Sequence, residues 1–294
     1  MSSTSSSIPA FATEALSTTP RRVAWRRVLR RQPTLAIGLV VLLLIVAAGV
    51  LAPVWWTGDS QQMRPAERLR PPSAVRWFGS DHFGRDVYTR TLYGARVSLV
   101  VGASVALLSL ALGTTLGLVI GFYRRLDAVM MRVMDGLMAI PAILLALALM
   151  AMMRASVRNV IIALVIPEIP RVVRVVRASV LSLREHTMVE AARALGVRTP
   201  RILVRYILPA LVAPLLVQAT YVCASAILFE AYLSFLGAGT PPHIPSWGNI
   251  MAEGKTYVQL AFWIILFPGL FLALTVLAIN LVGDGLRDLL DVRG

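Results

Sequence analysis

Six long apolar runs limit what this chain can fold into. They cover residues 35–54, 97–122, 136–153, 159–176, 208–229 and 258–282. A helix needs about 20 apolar residues to cross a ~30 Å hydrocarbon core, because its backbone groups must all be satisfied without water. Hydrophobic residues make up 57% of the 294 residues, and mean hydropathy is +0.73, too apolar for an ordinary soluble domain. The expectation is one all-α, polytopic membrane domain with six transmembrane helices. The fourth run is the weakest, because Pro167, Glu168 and Pro170 interrupt it.

A net charge of +14 would point to nucleic acid in a soluble protein. In a membrane protein, basic residues instead accumulate in cytoplasmic loops and set orientation, so no nucleic-acid partner is expected. Residues 1–34 read as a Ser/Thr-rich, basic cytoplasmic segment with a disordered start; Arg21, Arg22, Arg26, Arg27, Arg30 and Arg31 read as a positive-inside anchor for the first span, with an amphipathic lead-in lying on anionic membrane lipid as the alternative. With that end inside, residues 123–135, 171–207 and 283–294 are also inside, and the inside segments hold 19 of the 29 basic residues. Residues 55–96, 154–158 and 230–257 lie outside. Trp55, Trp56 and Trp77 suit an interfacial belt in the first outer segment. Both termini are then cytoplasmic.

The chain carries little chemistry of its own. Ion-driven transporters keep ionisable groups at mid-membrane depth, where they are costly. Glu168 is the one candidate coupling group, and its bland alternative is a carboxylate near the membrane boundary paired with Arg171. Cys223 is single and sits in an apolar run, and the three histidines are scattered, so no metal or disulfide framework is expected. Residues 248–256 superficially resemble a phosphate-binding loop, but they place five residues between the glycines where the motif has four.

The stretch Glu190-Ala191-Ala192-Arg193-Ala194-Leu195-Gly196 lies in the largest inside loop, residues 177–207. Thr187 with Glu190 reads as a capping box. Gly196 is a natural helix stop. Thr199-Pro200 offers a second N-cap, and Pro209 limits the helix that follows. Two short capped helices with small residues at Ala191, Ala192 and Gly196 make a docking knob, or an ordinary hairpin lying on the bundle. A knob that docks an energy-supplying partner would give the chain the drive it lacks.

Glu190-Ala191-Ala192, Gly196 and Ile207-Leu208-Pro209 resemble the cytoplasmic "EAA" loop of the permease subunits of bacterial ABC importers. Phe78-Gly79-Ser80-Asp81-His82-Phe83-Gly84-Arg85-Asp86, Tyr93-Gly94-Ala95-Arg96, Asp127, Met131-Arg132, Asp135, Pro141, Leu233-Ser234-Phe235-Leu236-Gly237 and Pro245-Ser246-Trp247-Gly248-Asn249 resemble the second, C-type permease of the dipeptide/oligopeptide/nickel branch. The resemblance runs from about residue 30 to the C-terminus. It departs at Pro167-Glu168-Ile169-Pro170, where the family pattern carries Trp and Gly.

That resemblance implies a type I ABC importer permease in the bacterial inner membrane, forming half of a translocation pathway for di- or oligopeptides, with nickel or glutathione as alternatives. It implies a homologous second permease, one or two ATPase subunits that bind ATP and Mg, and an extracytoplasmic substrate-binding protein. This chain would have no catalytic site, metal or cofactor. It would couple to the ATPase through Glu190, Ala191, Ala192, Leu195, Gly196, Ile207 and Pro209. A stand-alone ion-coupled transporter using Glu168 is the alternative from another class.

Overall fold

The computed structural model describes residues 32–55 and 58–291. The basic cluster at Arg21–Arg31 and the side chains of Trp55 and Trp56 lie outside the described residues. Among those described there is no strand, only one isolated bridge between Ser80 and Asp86. The helices are α1 (Pro33–Trp55), α2 (Val87–Phe122), α3 (Arg124–Met138), α4 (Ala142–Met152), α5 (Val157–Leu183), α6 (Thr187–Ala194), α7 (Thr199–Ile202), α8 (Leu208–Phe235), α9 (Trp247–Gly254) and α10 (Trp263–Asp291).

Four segments are long and apolar enough to cross a membrane: α1, α2, residues 199–235 and α10. The bent pair α3 and α4 makes a fifth, so the expected six are not all recovered by this criterion. Two corrections explain the difference. The run 136–153 is not one helix: the chain turns by 84° between α3 and α4, with Pro141 at the N-cap of α4. The run 159–176 belongs to an uninterrupted helix, α5, with Pro167 and Pro170 inside it. Its second half carries Arg171, Arg174 and Arg177, which take it out of the apolar class.

The longest helix, α2, has 36 residues and is about 54 Å long at 1.5 Å per residue. It begins ten residues before the apolar run that announces it. Asp86 caps it, accepting from the Thr89 backbone N–H at 2.8 Å. Against α2 lies α5, and the approach is set by missing side chains. A Cβ placed on Gly113, Gly117 or Gly121 would fall 2.6–2.8 Å from the Cβ of Val172, Val176 or Val180. Glycines at four-residue spacing therefore form a groove that a valine ridge fills, as in small-residue membrane helix pairs. Val172, Val176 and Val180 are fully buried there, in the main core with Val101, Val105, Leu211 and Val222.

At the N-terminal end of α2, a charge network ties three parts of the chain together. Asp81 Oδ2 accepts from Arg85 Nε at 2.6 Å and from Arg90 Nη1 at 2.7 Å; Glu253 of α9 accepts from the same two guanidiniums. Burial would raise the Asp81 carboxyl, but the Arg90 and Arg85 charges outweigh it and hold the group below its ordinary value. Asp81, His82 and Glu253 stand close enough to share a cation, yet the two arginines already occupy both carboxylates. The Asn249 amide donates to the carbonyls of Thr240, Pro241 and Ile244, and fastens the loop before α9. Residues 248–256 lie in α9 and the short 3-10 turn after it, not in a phosphate-cradling loop.

Candidate functional site

At the opposite end of α2, α6 forms the knob foreseen in the sequence, with different capping. Thr187 is its first helical residue, not its cap. The Glu190 N–H bonds the His186 carbonyl at 3.2 Å, and no side chain caps this end. The C-terminus is as expected. Gly196 has φ +73°, its N–H donates to Arg193 O at 2.9 Å, and the Val197 N–H donates to Ala192 O at 3.0 Å. These two bonds make a Schellman motif, which satisfies carbonyls that the helix end would leave open.

The second short helix is not separate. Beyond α7, residues Leu203–Ile207 form a π-turn that runs directly into α8, with the Leu208 N–H reaching the Leu203 carbonyl. The wider turn fits Pro209, which has no N–H to donate and sits in the first turn of α8. Pro209 therefore does not end the helical stretch. The knob continues through α7 and this π-turn into a spanning helix.

The seven expected coupling residues divide into two sets. Ala192 and Ile207 are buried in the main core beside Val189 and Ile202, so Ala192 packs inward rather than facing a partner. Glu190, Ala191, Leu195, Gly196 and Pro209 are exposed, and Leu195 is 83% accessible. Glu190 has no side-chain hydrogen bond or ion pair among the described residues. The Arg193 guanidinium lies 4.7 Å from the Phe122 ring centre, holding the knob to the end of α2. Asp127 of α3 accepts a paired bond from Arg177 of α5, and Asp135 accepts from Arg174 at 2.8 Å, bracing the same end.

A second feature escaped the sequence reading. Exposed leucines on α1 and α2, among them Leu43, Leu44, Leu107 and Leu112, suit contact with lipid. The faces of α5, α8 and α10 differ. Among apolar residues such as Val175, Leu228, Phe229 and Val276 they carry Arg171, Arg174, Gln218, Tyr221, Ser225 and Asn280 around adjoining hollows of about 400 Å³ and 260 Å³. Such groups are costly against hydrocarbon and belong on a water-filled or protein-covered face. Arginines at 171, 174 and 177 follow a helical three-residue spacing, the signal that could have placed them on α5 rather than in a loop. Glu168 lies in the middle of α5, fully buried. Its Oε1 accepts from Arg171 Nη1 at 3.3 Å, and its Oε2 has no hydrogen-bond partner among the described residues.

Comparison with known proteins agrees with this architecture. Residues 113–293 match the binding-protein-dependent transport system inner membrane component family, and residues 19–72 match the N-terminal TM domain of oligopeptide transport permease C. A Brucella suis permease protein assigned to a peptide transport system is 51% identical over 292 residues, 99% of this chain and 97% of its own. The dipeptide transport system permease protein DppC of Alkalihalophilus pseudofirmus is 41% identical over 93% of this chain and 90% of its own. The inward-facing MetNI methionine ABC transporter shares the fold, with a TM-score of 0.54 at 19% identity over 67% of this chain and 94% of that one. The chain belongs to the family of binding-protein-dependent transport system inner membrane components, and is a multi-pass protein of a bacterial inner membrane that works in a complex with other ABC importer components.

Proposed function

We propose that this chain is the permease subunit of an ATP-driven peptide importer and forms half of its translocation pathway. The observation that carries the reading is the knob: an exposed, Schellman-capped helix followed by α7, which a π-turn joins to a spanning helix, in a chain similar to peptide and dipeptide permeases. A lever of this kind has to stay rigid while its partner moves. Glu190, Ala191, Leu195 and Gly196 would present its surface to an ATPase subunit, and Ala192 and Ile207 would hold it to the bundle.

In this reading six segments cross the membrane in the type I importer arrangement: α1, α2, the bent α3–α4 pair, α5, residues 199–235 and α10. The arginines of α5 exclude it from a hydropathy criterion, but Arg171 and Arg174 line the groove. Both termini and the knob are cytoplasmic, and the Asp81–Glu253 network faces outside. A homologous permease covers the groove and completes the pathway. One or two ATPase subunits bind ATP and Mg, so the chain itself is not an enzyme, and an extracytoplasmic binding protein delivers peptide.

The complete importer in proteoliposomes tests this. Uptake of a labelled dipeptide should require ATP and the loaded binding protein, and should ignore an imposed proton or sodium gradient. Gradient-driven uptake without ATPase subunits, abolished by Glu168→Gln, would overturn the proposal in favour of a stand-alone ion-coupled transporter.

A further inference from the structure

We propose that Arg171 is a contact for the terminal carboxylate of the peptide cargo, positioned by Glu168 and Tyr221; this rests on the peptide reading above. Arg171 sits in the middle of α5 with its side chain 32% accessible, a poor position for a cation unless it faces the pathway. Both hollows of the groove are lined by Arg171 and Tyr221, so the guanidinium stands where the two meet.

Its geometry suits the task. Nη1 alone makes the internal bonds, donating to Glu168 Oε1 and to the Tyr221 hydroxyl, each at 3.3 Å. The Nε and Nη2 donors make no hydrogen bond among the described residues. Adjacent guanidinium donors match a carboxylate as a planar fork, which an ammonium cannot reproduce. Arg177 differs, because Asp127 takes both its Nε and Nη2 donors, and Arg174, which Asp135 engages through Nη2, lines only one of the two hollows.

Buried Glu168 fixes the rotamer and balances the charge. A conduction pathway needs this compensation, since a site that held the carboxylate too strongly would not release it. Ser225 Oγ stands 3.5 Å from the same Glu168 oxygen and carries this support across to α8.

The test uses the complete importer with its binding protein and two labelled dipeptides of one sequence, one with a free C-terminal carboxylate and one amidated. Each uptake rate is divided by the wild-type rate for the same peptide, which cancels the binding protein's own preference. Arg171→Gln should lower uptake of the free-carboxylate peptide about tenfold and change the amidated one less than twofold. Arg171→Lys should fall between. Tyr221→Phe, which keeps the ring, should lower the carboxylate peptide alone by a few-fold. Co-purification with the ATPase subunits confirms assembly of each variant. Equal losses for both peptides would assign Arg171 a structural role and overturn the inference, as would no loss at all. Failure of the wild-type importer to move either peptide would overturn the peptide reading itself.

Discussion

Alanine at Gly117 should separate the α2–α5 pair. In an exposed helix interior, Gly→Ala stabilises by about 1 kcal/mol through helix propensity. At Gly117 the new Cβ would lie 2.7 Å from the Val176 Cβ and 2.8 Å from its Cγ1, so one of two packed helices must shift. Overpacking of this kind costs about 1–3 kcal/mol. Gly136 supplies the control, because it is exposed on α3 and a Cβ there meets nothing within 4 Å. Both variants gain the same propensity term, so their difference isolates the clash. Denaturant titration in mixed micelles should place Gly117→Ala about 1–3 kcal/mol below Gly136→Ala. Val176→Ala should relieve only part of the clash, since its Cγ1 is removed and its Cβ remains, whereas Val176→Gly should show larger favourable coupling with Gly117→Ala in a double-mutant cycle. Equal stability of the two alanine variants, or stronger coupling with Val176→Ala than with Val176→Gly, would refute the account of this interface.

Further outcomes follow from the Asp81–Glu253 network and the loop before α9. Asp81→Asn leaves Arg85 and Arg90 short of a buried partner and should cost about 3–5 kcal/mol at neutral pH. Because the folded pKa of Asp81 lies below its ordinary 3.8, that contribution is full above 3.8 and vanishes as pH falls through the folded value. The stability gap between variant and wild type in detergent melts should therefore close only in strong acid. Burial depresses His82 below 6.5, so it adds an earlier loss of stability as pH drops beneath 6.5. His82→Phe should remove that earlier phase from the melting profile. Asn249→Ala strands the Pro241 and Ile244 carbonyls, should cost about 1–3 kcal/mol, and should raise hydrogen exchange around residues 240–246.

Much of the fold was legible because apolar runs and glycine stops are local. Residues 35–54 and 208–229 announced α1 and α8, and Gly196 marked a helix end that its φ of +73° then demanded. Prolines were not legible in the same way. Pro141 stands at an 84° break, Pro167 and Pro170 stay inside a continuous α5, and Pro209 is absorbed by a π-turn. Which outcome occurs depends on the neighbours that take up the freed backbone groups, and one chain's sequence does not state its neighbours. The Arg90–Glu253 pair spans 163 residues and has no local signature. Ala192 belongs to the motif that drew attention to the knob, yet its side chain is core. A motif marks which positions belong together without saying which of them face out.

Coupling through the knob is tested most directly by Gly196→Trp in the complete importer. A side chain at φ +73° strains the Schellman turn, and an indole there enlarges the surface offered to the ATPase. Paired measurements of ATP hydrolysis and peptide uptake, on variant and wild type at equal membrane content, give the answer. The account predicts that uptake falls at least tenfold while the membrane domain stays assembled and basal ATP hydrolysis persists. Full uptake by Gly196→Trp, with the ATPase subunits bound as in wild type, would contradict it.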